Sequence, residues 1–379
     1  MKHLLLFALT CLLFQAKGQN WQQLTDFPGT QRDDGTGFVI GDSAYFGTGM
    51  TPWWSVERDF YGLNLIDDSW FSIASLPMNA ERQYASGFSS SGGKGYVFGG
   101  YNGTQFLNDL WEYNPTTNTW TALTSLPGIG RSGAASFVLN DTAYIIAGKT
   151  AANLAINEVW AYSIASNTWI QKNNFPYGNL WRSSATKLDN KGYLLFGRDE
   201  INFFHNELYE YAPNQDAWTP ISNFPSLGRS HSSASVINNS LFICFGLDSL
   251  GNSHNDVWQY DINQNTWMNY PGLPSIGRRG GIGLAKDNKF YYTTGIDESN
   301  ERLIQTWKFD PVLAIPTIEI ENKQELLKIV DVLGRETTFQ PNTVQLYMYA
   351  DGSIKKVLKI EGWSLLISIR QLTDSMCLN

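Results

Sequence analysis

An all-β fold, a six-bladed propeller, is predicted by three features of the 379-residue sequence. Trp21, Trp70, Trp120, Trp169, Trp218 and Trp267 recur at intervals of 49, 50, 49, 49 and 49 residues. Twenty-one residues before each Trp from Trp70 onward stands a glycine (Gly49, Gly99, Gly148, Gly197, Gly246), and Gly295 continues the series. Nine residues before the same tryptophans stands an aromatic (Tyr61, Trp111, Trp160, Tyr209, Trp258), continued by Trp307. A fixed period of this size marks a repeat architecture in which each unit packs on its neighbours. Composition agrees, because charged residues are only 16%, aromatics reach 14% and 34 glycines punctuate the chain, which suits short strands and tight turns.

Each repeat reads as four strands. Strand a is small and apolar, as in Gly133 to Leu139, and strand b ends on the glycine, as in Thr142 to Gly148. Between them lie Gly41-Asp42, Asn140-Asp141, Asn238-Asn239 or Asp287-Asn288, residues that tolerate the positive φ of hairpin turns. Strand c carries an aromatic-x-Tyr pattern (Trp111-Glu112-Tyr113, Trp160-Ala161-Tyr162, Trp258-Gln259-Tyr260), and strand d follows a polar turn such as Asn114 to Thr119. The sixth repeat supplies only a to c: it ends at Trp307-Lys308-Phe309-Asp310-Pro311, and Pro316 stands where its tryptophan is due. Trp21 begins an orphan strand d, so the N-terminal strand is expected to complete the last blade and remove the open edges.

The copies LNDLWEYNPTTNTW and HNDVWQYDINQNTW, followed by SLP and GLP, resemble the kelch family of propellers over about residues 21 to 311. Most repeats keep one glycine of that family's usual pair, and Gly99-Gly100 alone shows both.

Residues 1–18 read as a signal peptide. Lys2 and His3 precede an apolar run from Leu4 to Phe14 and an Ala16-Lys17-Gly18 cleavage site, so the mature chain is expected to start at Gln19. That run has eleven residues, against the roughly 20 needed to span a bilayer. The expected location is secreted or at the cell surface. Cys244 reads as a small core residue and Cys377 lies near the terminus, so no disulfide framework is implied. A net charge of -8 repels phosphate backbones and argues against nucleic acid as a partner.

After Pro311 the composition changes. Two alternating segments flank Asp351-Gly352, a hairpin signal. Lys328, Asp331, Gly334, Arg335 and Glu336, then Tyr347, Tyr349, Asp351 and Gly352, resemble the C-terminal sorting domain of the type IX secretion system of Bacteroidetes. The resemblance implies secretion machinery as a partner and export across an outer membrane. Such domains usually stop near Glu361, whereas this chain continues through GWSLLISIRQLTDSMCLN. The alternative is a carbohydrate- or partner-binding β module. The chain thus divides into a leader (1–18), a propeller (19–311), a sorting-like β domain (312–361) and an atypical tail (362–379).

Site candidates come from the repeat register. An arginine recurs just before strand a (Arg32, Arg82, Arg131, Arg182, Arg229, Arg278) and an acid at the start of strand c (Asp59, Asp109, Glu158, Glu207, Asp256), with Gln305 in the sixth repeat. Both positions lie on one face of the disc, because successive strands alternate in direction. A ring of guanidiniums suits a carboxylated or sulfated sugar, while arginines paired with the acids would instead clamp blades. Without its acid, blade six leaves Arg278 and Arg279 as the freer pair. Trp53, Trp54, Tyr101, Trp181, Phe203 and Phe204 fall in loops of the same face, where rings stack on sugars or plug gaps. His205, His231 and His254 match no compact metal motif. Galactose oxidase-like enzymes share the kelch propeller, but their copper site needs a tyrosine joined to a cysteine plus two histidines. Cys244 is the only propeller cysteine and sits in a strand pattern, so no metal or other cofactor is expected.

The expected function is a secreted or surface binding protein holding a glycan or protein on the loop face, with no catalytic residue assigned. The alternative is an N-acetylneuraminate mutarotase or epimerase, since the resemblance extends to secreted six-bladed kelch enzymes of that kind. Glu81 beside Arg82 is the conspicuous acid/base candidate for it. A third possibility is a structural protein whose arginine ring is fully bridged.

Overall fold

The computed structural model describes residues 20–150 and 154–311, and of the C-terminal part 326–331, 335–338, 340, 343–349, 354–360 and 363–366. The leader and the Asp351-Gly352 turn lie outside these residues. Six four-stranded antiparallel sheets form the first unit, Met1–Thr317, and the second unit is Ile318–Asn379.

Blade one is built of Thr36–Ile40, Ser43–Gly47, Phe60–Asn64 and Ser69–Ser72, hydrogen-bonded in that order from a to d, and the next four blades repeat it. Blade six takes Ile282–Lys286, Lys289–Thr293 and Thr306–Phe309 from the end of the ring and its outer strand from Trp21–Gln23. Trp21 faces Phe309, Gln22 faces Lys308 and Gln23 faces Trp307. Each a strand touches the a strand of the next blade, and Ile282–Lys286 returns to Thr36–Ile40, so the ring is closed.

Six apolar cores lie between neighbouring blades. One combines Phe88, Tyr96, Phe98 and Leu110 of blade two with Ala143, Ile145 and Tyr162 of blade three. The tryptophan ladder fastens these seams: Trp120 Nε1 donates to the Ala74 carbonyl of the preceding blade at 2.8 Å, and Trp169 Nε1 to Thr124 at 2.8 Å. The c–d turn completes the fastening. Asn118, at φ 52°, accepts the Tyr113 hydroxyl at 3.0 Å and the Ala74 amide at 2.7 Å. This is why Trp, Tyr and a turn Asn recur together. Three of the four predicted a–b turn pairs are left-handed at both residues, Asn140-Asp141, Asn238-Asn239 and Asp287-Asn288, while in Gly41-Asp42 only Gly41 is.

The glycine after strand b needs one adjustment. Gly49, Gly100, Gly148, Gly197, Gly246 and Gly295 share φ between 101° and 111°, and Thr48, Gly99, Ala147, Phe196, Phe245 and Thr294 precede them at φ 57° to 65°. The extra residue in the second repeat therefore puts Gly100, not Gly99, in the series. A Cβ at Gly49 would come within 2.5 Å of the Asp33 carbonyl, so the second glycine of the pair is the one the backbone requires.

The C-terminal unit is a five-stranded antiparallel sheet in the order Glu336–Thr337, Leu326–Val330, Val344–Tyr349, Ile354–Ile360 and Trp363–Leu366. The expected hairpin strands pair, with Tyr347 opposite Lys355. Trp363–Leu366 adds an edge strand on Val357–Ile360. The sheet therefore runs past Glu361, where the sequence suggested a boundary, because this stretch carries its own apolar strand pattern.

Candidate functional site at the channel mouth

The arginine series resolves into two kinds of residue. Arg32, Arg82, Arg131 and Arg278 are 0% exposed and Arg229 is 1% exposed. Arg82 shows why: Nε donates to the Ala80 carbonyl (2.9 Å), Nη1 to Gly99 (3.0 Å), and both Nη atoms to Asp109 (2.8 Å each). Arg32 grips Asp59 and Arg229 grips Asp256 in the same way, and Arg131 meets Glu158 through Nη2 alone. The acid also accepts the strand-c indole two residues on, as when Trp111 Nε1 reaches Asp109 at 2.6 Å. Period-2 alternation puts those two side chains on one face of the strand, which explains the D-x-W spacing. The main chain at Arg82 is held by the preceding blade: its N–H donates to Glu57 O (3.1 Å) and its carbonyl accepts from Gly49 N–H (2.8 Å). These five arginines are therefore buried fasteners and cannot hold a ligand. Arg278 is equally buried: its Nη2 donates to Gln305 Oε1 (2.9 Å) and Ser275 Oγ (2.8 Å), while its Nη1, with no acid opposite, has no hydrogen-bond partner among the described residues.

Arg182 differs. The series from Arg131 takes 51 residues to reach it, while the ladder tryptophans Trp120 and Trp169 stand 49 apart. Leu180, 1% exposed, fills the fastener position in blade four. Arg182 instead belongs to a position two residues further on, shared with Asp34, Tyr84, Gly133, His231 and Gly280. All six have left-handed φ, from 55° to 66°. Their main chains form a closed cycle around the axis: Asp34 N–H donates to Gly280 O, Tyr84 to Asp34, Gly133 to Tyr84, Arg182 to Gly133, His231 to Arg182, and Gly280 to His231, at 2.6 to 3.2 Å. Non-glycine residues held at positive φ store strain, and such strain collects at functional sites.

The side chains of this cycle line an axial cavity of about 180 Å³ to which every blade contributes. Above it opens a cleft of about 500 Å³ walled by Asp33, Asp34, Trp54, Arg182, Arg279 and Arg302 among others. The charges are polarised. On one side Asp33 pairs with Arg302 (2.6 Å, both buried), Arg302 lies 5.2 Å from the Trp54 ring, and Asp34 accepts from the Tyr84 hydroxyl. Burial, aided by the Asp33 carboxylate, pushes Asp34 up to about 8, so it is protonated at neutral pH. Lys149 (4.4 Å), Arg182 (4.3 Å) and Arg198 (4.3 Å) crowd one indole, Trp181, and Arg182 bridges to the acidic side over the Tyr84 ring (4.1 Å). Among the described residues none of the three cations has an ion-pair partner, and Nε of Arg182 and of Arg198 is buried without a hydrogen bond. Burial, then the neighbouring Arg182, lowers Arg198 to about 10. His231 is held well below the usual histidine range by burial and by Arg182, Arg198 and Arg279.

Of the loop candidates, Trp54 lines the cleft and Phe204 lies 5.7 Å from Arg198, while Trp53 (76% exposed) and Phe203 (57% exposed) are not among its walls. Arg279 is in the wall, held by Ser253 (3.2 Å), Asp297 O (3.2 Å) and Asn300 (3.1 Å). Glu81 is not: it faces Arg58 at 3.6 Å, and its neighbour Arg82 is turned into the blade. Asp33, Asp34, Tyr84, Lys149, Arg198, His231 and Arg302 were not anticipated as site residues. For Asp34, Tyr84 and His231 the available signal was that the second position after the fastener holds no common residue: Asp, Tyr, Gly, Arg, His and Gly in turn.

Six sheets in a closed ring, with buried Arg–acid fasteners and a polar axial mouth, define a kelch-type β-propeller. The chain belongs to the Attractin/LZTR1 beta-propeller family, which it matches over residues 45–300. Curated relatives include N-acetylneuraminate epimerases of Shigella sonnei (strain Ss046) and Escherichia coli O157:H7, each 36% identical over 121 residues. The Escherichia coli (strain K12) protein of that name is 35% identical over 121 residues. The match spans 30% of this chain and 31% of the length of each of these relatives. The solved structure of YjhT superposes with a TM-score of 0.66 over 75% of this chain and 95% of that one, at 20% identity, which shows a common fold.

Proposed function

We propose that the chain is an epimerase acting at the anomeric centre of N-acetylneuraminate or a sugar acid of the same build, bound at the channel mouth. The observation that carries this is the group Lys149, Arg182 and Arg198, without an ion-pair partner among the described residues, whose member Arg182 shares the cleft with the protonated carboxyl of Asp34. Packed like charges without counterions call for an anion, and a guanidinium fork suits a carboxylate. A monoanionic sugar answers both poles: its carboxylate takes the cations and its hydroxyls face the acids. The cleft, about 500 Å³, is of the size that holds small ligands. The name shared by the curated relatives supports the same substrate.

The test is NMR of freshly dissolved N-acetylneuraminate with and without the protein. The α and β anomers should interconvert faster with protein, and Arg182→Ala should weaken sugar binding at least tenfold. Binding without faster interconversion would make the propeller a non-catalytic glycan-binding module.

We also propose that the protein is exported, led by residues 1–18 and sorted by the C-terminal unit through type IX machinery. The support is the leader pattern and the Lys328-to-Gly352 spacing. Deleting residues 318–379 should leave the propeller in the periplasm; its appearance outside the cell would end the sorting proposal.

A further inference from the structure

One repeated position carries four side chains in six blades: a carboxyl (Asp34), a phenol (Tyr84), a guanidinium (Arg182) and an imidazole (His231), with glycine at the other two (Gly133 and Gly280). The two glycines make room. A Cβ at Gly280 would stand 2.7 Å from Asp34 Oδ1, and one at Gly133 would stand 3.1 Å from Arg182 Cγ. Gly280 therefore lets the Asp34 carboxyl pack close against the backbone of blade six, and Asp34 and His231 both line the axial cavity and the cleft.

We propose that Asp34 and His231 are the catalytic acid and base of this mouth, exchanging protons with the ring oxygen and anomeric hydroxyl of a sugar whose carboxylate Arg182 holds. This rests on the epimerase proposed above.

Opening the ring needs one proton delivered and one removed. Asp34 gives its proton to the ring oxygen as the bond from that oxygen to the anomeric carbon breaks. His231 takes the proton of the anomeric hydroxyl, whose oxygen becomes the carbonyl of the open-chain keto acid. Rotation about the adjacent carbon–carbon bond presents the other carbonyl face. Closure then returns each proton to its origin, so no atom or electron is gained or lost.

The surroundings suit both roles. Asp34 is faced by Asp33, Tyr84 and Arg182, with Arg302 held beyond Asp33. Burial and Asp33 keep its proton on at neutral pH, while Tyr84 and Arg182 favour the carboxylate that forms. His231 is faced by Arg182, Arg198 and Arg279, which together with burial keep it neutral; these cations oppose its protonation until the bound carboxylate offsets their charge. Its Nδ1 lies 2.7 Å from Ser230 Oγ, and in the tautomer in which Nδ1–H donates to that oxygen, Nε2 presents a lone pair.

The experiment measures anomer exchange by saturation-transfer NMR and sugar affinity by calorimetry on the full chain, for wild type, Asp34→Asn and His231→Gln. Each variant should bind within severalfold of wild type yet exchange roughly 10²-fold more slowly. The wild-type rate should fall above pH about 8, as Asp34 loses its proton. A fast wild type with either variant within twofold of it overturns the acid–base assignment alone. A wild type that binds sugar without accelerating exchange overturns the epimerase and this assignment together. Should Asp34→Asn not fold, His231→Gln and the wild-type pH limb decide.

Discussion

Replacing Asp109 by Ala measures what one fastener is worth. Arg82 is fully buried, and its charge is met by two 2.8 Å bonds to a carboxylate whose side chain is 31% exposed. Removing one partner of a buried pair costs about 3–5 kcal/mol, because the other charge is left uncompensated. Water reaching the vacated, partly exposed position argues for the lower end, about 3 kcal/mol. The Trp111 indole, bonded to Asp109 at 2.6 Å, adds about 1 kcal/mol for a lost acceptor. At roughly 2 °C per kcal/mol for a unit of this size, Tm should fall by about 8 °C. Asp109→Asn should cost less than half as much, because blade six already works with an amide: Gln305 Oε1 accepts from Arg278, helped by Ser275. Urea and thermal denaturation of the two variants provide the assay. An Ala variant within about 1 kcal/mol of wild type, or an Asn variant as damaged as Ala, would refute the fastener reasoning.

In blade six the converse change, Gln305→Glu, should supply Arg278 with a counter-charge and raise the urea midpoint, worth about 1 kcal/mol, without altering sugar affinity. Trp120→Phe should lose about 1 kcal/mol with the bond to the Ala74 carbonyl, visible in the same denaturation assay. Asp34 is raised from 3.8 to about 8, so the folded chain keeps a proton that the unfolded chain gives up. Its contribution is present below pH about 4 and is lost as pH rises to about 8. Stability of wild type relative to Asp34→Asn should therefore decline across that window, and a flat difference between the two urea midpoints would count against the buried protonated carboxyl.

The parts of this molecule legible in the sequence are those that every blade must repeat. The ladder tryptophans, strand-c tyrosines and turn asparagines recur because each seam needs the same indole and amide bonds, as at Trp120, Tyr113 and Asn118. The arginine series was visible for the same reason, and so it marked fasteners. Arg182 was caught in that series by residue type although Leu180 holds the register. Asp34, Tyr84 and His231 escaped because a site is asymmetric: their shared position holds five residue types in six blades and leaves no period to find. A residue count also hid Gly100 behind Gly99, since the a–b turn of the second repeat, between Ser89 and Gly95, is longer than the two-residue turns after Ile40 and Leu139.

The closing strand has a consequence for biosynthesis. Trp21–Gln23 is among the first of the ring's residues to leave the ribosome, and its partner Thr306–Phe309 is among the last. Until then the nascent propeller is an open arc with two unsatisfied edges, each able to pair with another copy. Blade two, whose strands are close in sequence, can form early, whereas the ring itself can close only once synthesis has passed residue 309. A chaperone that shields the waiting strand, or a route that carries the chain unfolded until its last blade is made, would protect it through this interval.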